Sequence, residues 1–88
     1  MLGVRYSGKA TKQMERIVKA DKRTAARIIK AIEAYAKAPT LKHDVKVLKG
    51  NRGDFKRLRV GDYRVIFDDD RAVMSIYNIM HRQEAYND

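Results

Sequence analysis

No cysteine occurs in these 88 residues, which excludes disulfide staples, zinc fingers and thiol catalysis and argues against a small secreted scaffold. Proline occurs once. With apolar residues at 44% and charged residues at 35%, so little proline excludes a disordered chain and fits an ordinary globular domain. Long apolar runs are missing too. The opening MLGVRYSGKATKQ has no stretch that fits a signal peptide, and nothing approaches a membrane span, so the expectation is a cytoplasmic chain with no membrane partner. Acidic residues are outnumbered, eleven Asp plus Glu against twenty Lys plus Arg, for a formal net charge of +9. So large an imbalance in one small domain implies a negative partner, nucleic acid first and an acidic protein second.

The length allows a single domain spanning 1–88, with one modest core. Val4 to Tyr6 is a short strand candidate, and Ser7 is placed to cap a helix running to about Lys19, with Met14, Ile17 and Val18 as its buried stripe. Asp21 can cap a second helix to about Lys37, in which Ala25, Ile28, Ile29, Ile32, Tyr35 and Ala36 recur at helical spacing before Pro39 ends it. From Leu41 onward the period changes to two. Strand candidates follow at Val45 to Lys49, Phe55 to Val60, Tyr63 to Phe67 and Ala72 to Met80. They are separated by Gly50-Asn51-Arg52-Gly53, by Gly61-Asp62 in a two-residue type II′ turn, and by Asp68-Asp69-Asp70-Arg71. The expected fold class is α+β: an N-terminal two-helix hairpin packed on one face of a four-stranded antiparallel sheet, three main strands plus short edge strands.

A two-residue turn at Gly61-Asp62 sets Val60 opposite Tyr63, Arg59 opposite Arg64, Leu58 opposite Val65 and Arg57 opposite Ile66. Side chains of opposed residues share a face. Leu58, Val60, Val65 and Phe67 then meet the helices, while Arg57, Arg59 and Arg64 emerge together on the other side. Like charges directly opposite are destabilising, so pairing Arg59 with Arg64 points to an anion held there; the alternative is that each arginine reaches to water or to a nearby carboxylate. The same register carried onward puts Val73, Ser75, Tyr77 and Ile79 on the arginine face, with Met74 and Ile76 inward. The strand then runs into His81-Arg82-Gln83-Glu84-Ala85-Tyr86, which adds an imidazole, a fourth arginine and an aromatic. Arginines hold phosphates and an exposed ring can stack on an unpaired base, the usual way single-stranded RNA is read.

No metal or cofactor is expected, because Asp68, Asp69 and Asp70 crowd one tight turn and neither histidine has ligands at useful spacing. A serine or cysteine nucleophile pattern is absent as well. Metal-free phosphoryl chemistry remains: a ribose 2′-hydroxyl is deprotonated and attacks the adjacent phosphate in line, fixed cations hold the added charge, and the leaving oxygen is protonated.

LKG at Leu48 to Gly50, RLRVGDYRVIF at Arg57 to Phe67 and HRQEAY at His81 to Tyr86, in that order and over essentially the whole chain, resemble the RelE/StbE branch of the RelE/ParE toxin family. The resemblance implies a microbial-ribonuclease-like sheet and endonucleolytic cutting of mRNA in the ribosomal A site. It also implies partners: the ribosome, mRNA and a cognate acidic RelB-like antitoxin encoded alongside, in a toxin–antitoxin hetero-oligomer. By the same resemblance Arg64 holds the scissile phosphate and Tyr86 stacks on or orients the substrate nucleotide. The catalytic set so expected is Arg57, Arg64, His81, Arg82 and Tyr86, with Lys46, Lys49, Lys56, Arg59 and Tyr77 binding RNA. Arg57 stands where RelE-type enzymes often have lysine, and a guanidinium is a very poor general base. Lys46, Lys49, Lys56 and His81 remain open for that role, with the register turning Lys56 toward the helix side and leaving the facing of the Val45 to Lys49 strand undecided. Gyrase-inhibiting ParE relatives share the scaffold without the catalysis. A nontoxic nucleic-acid-binding module is a third class, for which no recognition helix is visible.

Overall fold

The computed structural model describes residues 1–48 and 55–85, and the backbone alone at 84 and 85. The loop Gly50-Asn51-Arg52-Gly53 and two expected site residues, Lys49 and Tyr86, lie outside the described residues. Strand β1 (Gly3–Tyr6) runs straight into helix α1 (Gly8–Ala20) because Ser7 Oγ accepts the Ala10 N–H at 3.0 Å, satisfying one of the donors that every helix start leaves open. Asp21 then does two jobs. Its N–H closes α1 on the Ile17 carbonyl at 2.7 Å, and its carboxylate opens helix α2 (Lys22–Lys37) by accepting from Thr24 N–H and Oγ1. These Thr24 bonds hold the Asp21 carboxyl below the ordinary carboxylate range.

Helix α2 buries Ala25, Ile28, Ile32, Tyr35 and Ala36, as its spacing implies, with Ile29 half-buried. Helix α1 buries Ala10, Met14 and Ile17. Val18, expected in that stripe, is 37% exposed, because one residue beyond Ile17 turns roughly 100° away from the core. It lines an apolar groove of about 470 Å³ with Tyr6, Met14 and Ile29. No described helix is long and apolar enough to cross a membrane.

The remaining elements are β2 (Val45–Val47), β3 (Lys56–Val60), β4 (Tyr63–Asp69), β5 (Val73–His81) and a four-residue helix α3 (Arg82–Ala85). Among the described residues the sheet has five strands in the order β1-β5-β4-β3-β2, where four antiparallel strands were expected. The expected short strand at Val4 to Tyr6 is β1, an edge strand that lies parallel to β5, from Gly3 opposite Val73 to Tyr6 opposite Ile76, and so makes the sheet mixed. Both helices and three strands separate the two in sequence, so no hairpin fixes their pairing. The α+β class and the placing of both helices against the sheet are as the sequence implies. Leu58, Val65, Phe67, Met74, Ile76 and Ile79 meet the helical stripes in one core.

The β3–β4 register is the expected one, Arg57 opposite Ile66 through Val60 opposite Tyr63. Gly61 has φ +57°, and no non-glycine among the described residues has positive φ, which is the type II′ signature. Between β4 and β5 the register shifts: Ile66 pairs with Asn78 but Phe67 pairs with Ile76, leaving Tyr77 as a bulged extra residue. One extra residue exchanges the faces of everything after it. Ile79 therefore enters the core at 3% exposure instead of joining the arginines, Met80 lies opposite Arg64, and His81 lies opposite Tyr63. Beyond the end of β1 the edge of β5 is completed by a side chain, since Gln13 Oε1 accepts the Ile79 N–H at 2.6 Å and Gln13 Nε2 donates to Asn78 Oδ1 at 2.7 Å.

Candidate nucleic-acid interface

With the helices on one side of the sheet, alternation along each strand assigns the open side. Lys46 stands directly opposite Arg57 across β2 and β3, and Arg59 stands opposite Arg64 across β3 and β4. Arg57 and Arg59 are two apart on one strand, so the four cations share this face. Lys46, whose facing the sequence left undecided, is thereby brought to the cluster.

The arginines are not equivalent. Arg59 is exposed, whereas Arg64 is 5% exposed, so the expectation that it simply projects from the sheet needs correction. Its Nη1 donates to the carbonyls of Gly61 and Tyr63 at 3.3 and 3.2 Å, folding the guanidinium back along the turn. Met80 is its partner on the far side. Among the described residues no carboxylate lies within ion-pair distance of Lys46, Arg57, Arg59 or Arg64. The buried Arg57 Nε likewise has no hydrogen-bond partner among them. A buried donor without an acceptor is unfavourable, while the exposed guanidinium of Arg59 on the same face is open to an anion.

Two expected members of the site lie elsewhere. Lys56 faces the helices, as the hairpin register implies, and there its Nζ donates to Asp69 Oδ1 at 2.8 Å and reaches the Tyr35 hydroxyl at 3.4 Å, while that hydroxyl donates to Asp69 Oδ2 at 2.6 Å. The Asp69 hydrogen bond raises the Lys56 pKa, and its place on the helix side of the sheet takes it off the arginine face. His81, turned by the bulge, sits edge-on against Tyr63 with ring centroids 5.3 Å apart and lines a polar cleft of about 300 Å³ with Asp21 and Arg27. Its Nδ1 accepts the Gln83 N–H at 3.3 Å. Of the open candidates for general base, Lys46 alone among the described residues shares the arginine face. Arg82 lies at the start of α3, where its N–H meets the Asp62 carbonyl at 2.6 Å and its guanidinium stands 3.7 Å from the Asp62 carboxylate.

Tyr77 stays on the open face and is 39% exposed. Its hydroxyl donates to Asp68 Oδ2 at 3.1 Å, and its ring meets Phe55 edge-on at 5.4 Å. Desolvation, followed by the Asp68 hydrogen bond, raises the phenol pKa, so the hydroxyl remains a donor. Sequence reasoning missed Phe55, Asp68 and Arg5 as part of this face. Arg5 lies opposite Ser75, and only the β1–β5 pairing reveals it. For Phe55 the signal was present, because it is two residues before Arg57 in the same alternation.

Two helices packed on one face of a five-stranded mixed sheet make an α+β domain with the fold of RelE-like structures. The chain is similar to the YoeB dimer from Staphylococcus aureus, with 17% identity, TM-score 0.79 and coverage of 91% of this chain and 95% of that one. It is similar also to the archaeal RelE–RelB complex from Pyrococcus horikoshii OT3, with 26% identity, TM-score 0.73 and coverage of 92% and 94%. The RelB–RelE antitoxin–toxin complex from Methanococcus jannaschii gives 22% identity, TM-score 0.74 and coverage of 94% and 95%. No curated protein matches. The family model for the ParE toxin of type II toxin–antitoxin systems matches residues 4–86, and the chain belongs to that family, within the RelE/ParE toxin superfamily.

Proposed function

We propose that this toxin is a ribosome-dependent endoribonuclease that cuts mRNA in the A site in the cytoplasm and is held inactive by a cognate acidic antitoxin. The observation that carries the reading is the open sheet face, where Lys46, Arg57, Arg59 and Arg64 adjoin without a carboxylate partner among the described residues and Arg57 Nε is buried without an acceptor. Phosphate oxygens satisfy exposed donors such as the Arg59 guanidinium, and a bound phosphoryl group that gains charge during in-line attack gains most from cations fixed beforehand. In this scheme Arg64, braced on the turn carbonyls, and Arg57 hold the scissile phosphate. Lys46, with its amine in the neutral form, is positioned to take the 2′-hydroxyl proton, and Arg82 and Tyr86 act from the C-terminal segment. Ribosomal RNA completes the site, so naked RNA is a poor substrate. RelE in the archaeal relatives is solved with RelB, which supports an antitoxin for this chain too.

The family match itself favours a second reading, inhibition of DNA gyrase without catalysis, because the matched family is ParE. Purified toxin incubated with mRNA, with and without programmed ribosomes and separately with gyrase, decides between them. Metal-independent cuts that require ribosomes support the proposal. Gyrase inhibition with intact mRNA supports the second reading, and efficient cutting of naked RNA contradicts the division of labour with the ribosome.

A further inference from the structure

The bulge in β5 has a chemical consequence on the open face. It makes Tyr77 an extra residue with no partner across the strand pair, and bulges commonly re-aim a side chain beside a functional site. Tyr77 on β5 thereby meets Phe55, which precedes β3, above the intervening strand β4. The two rings stand nearly perpendicular, at 79°, and so offer a base one ring face to stack on and a second ring at its edge, beside the cation cluster. Phe55 continues the alternation of Arg57 and Arg59, so ring and guanidinium are next neighbours on one face. The Tyr77 hydroxyl donates to Asp68 Oδ2, and Asp68 Oδ1, at the margin of the rings, has no donor among the described residues. On the other side Arg5, opposite Ser75, is close enough for its charge to act on the Tyr77 phenol.

We infer that Tyr77 and Phe55 form a stacking subsite for one unpaired nucleobase of single-stranded RNA, with Asp68 selecting guanine over uracil and Arg5 contacting the phosphate of that nucleotide. A base gains from resting on an aromatic surface whatever its identity, so the rings alone are tolerant of sequence. Asp68 adds discrimination. A carboxylate accepts hydrogen bonds but donates none, and guanine offers N1–H and N2–H side by side. Uracil offers one N–H flanked by two carbonyl oxygens, which the carboxylate repels. The choice of RNA rests on the ribonuclease proposal, but the subsite makes a binding prediction that needs no cleavage.

The test uses the full-length toxin and uncleavable 2′-O-methyl RNA hexamers, identical except for guanine or uracil at one central position, with affinity read by fluorescence anisotropy. The guanine hexamer is expected to bind more tightly. Tyr77→Ala should weaken it by roughly 5- to 100-fold, and Tyr77→Phe, which keeps the ring, should weaken it less. Asp68→Asn should erase the preference for guanine. Arg5→Gln should reduce the dependence of log affinity on log salt by about 0.7, the share of one phosphate contact on a single strand. Unchanged affinity in Tyr77→Ala, or equal binding of the two hexamers by the parent protein, overturns the subsite. Mapping mRNA ends separates the two ideas. Discriminating binding with intact mRNA keeps the subsite and removes the ribonuclease reading, whereas cutting whose sites do not move in Tyr77→Ala keeps that reading and removes the subsite.

Discussion

Arg59 and Arg64 face each other across the β3–β4 hairpin, yet one is open to solvent and the other is 5% exposed, bent back onto the carbonyls of Gly61 and Tyr63. The repulsion expected of two opposed cations is eased by that bend, because the turn carbonyls supply partial negative charge where no carboxylate among the described residues does. A tight turn and a phosphate-holding cation are thus parts of one local structure.

Arg64→Ala should therefore abolish toxicity and also lower stability. Losing a buried charged donor and leaving two carbonyls without it costs about 1–3 kcal/mol. For a domain of this size that corresponds to a fall in Tm of roughly 4–8 °C per kcal/mol. Thermal melts alongside growth assays check this; an undiminished Tm would show that the turn does not depend on the guanidinium.

Lys56→Met should separate stability from function in the opposite way, since Lys56 lies on the helix side of the sheet. Removing it strands Asp69 beside Tyr35 and should cost about 1 kcal/mol once solvent screening is allowed for. Toxicity at neutral pH should survive. The folded pKa is raised above 10.5, so the pair's contribution is complete below 10.5 and fades as pH rises through the folded value. The stability gap between parent and variant should close in that alkaline window, as urea titrations at several pH values would reveal.

Asp21→Ala should lower Tm at neutral pH by removing the cap of α2. The carboxyl pKa is depressed below 3.8 by Thr24, so its contribution is present above 3.8 and lost as pH falls through the lower folded value. Melts of the two proteins should converge in acid. A gap that persists to the lowest pH would mean that the charge is not what stabilises the helix start.

Raising ionic strength should slow association with the antitoxin markedly yet change dissociation little. Under the proposal of an acidic antitoxin, a net charge of +9 would steer that partner through exposed charges that salt screens, while burial of an apolar helix face would supply the lasting affinity. Surface plasmon resonance with the product of the neighbouring gene reads both rates. An association rate that ignores salt would remove the electrostatic part.

Helix starts and the hairpin register were legible because each has a local cause. Ser7 and Asp21 are capping side chains, and Gly61 alone suits the left-handed turn position. From those, the side shared by Arg57, Arg59 and Arg64 followed by alternation. What failed was non-local. The bulge at Tyr77 has no turn residue to announce it, and missing it misplaced Ile79 and His81 together, because every residue after a bulge changes sides. The parallel partner of β1 was illegible for a similar reason, which hid Arg5. Arg64 could be assigned a side but not a burial, since its exposure depends on which carbonyls its own side chain reaches.

The most direct measurement of the central claim is the mapping of mRNA 5′ ends after brief induction of the toxin, compared with soluble Arg57→Ala at equal expression. The expected result is new ends at defined codon positions within translated regions, lost in Arg57→Ala, with no SOS response. Intact mRNA together with growth arrest and an SOS response would contradict it, and would make the cationic sheet face the surface of a gyrase inhibitor instead.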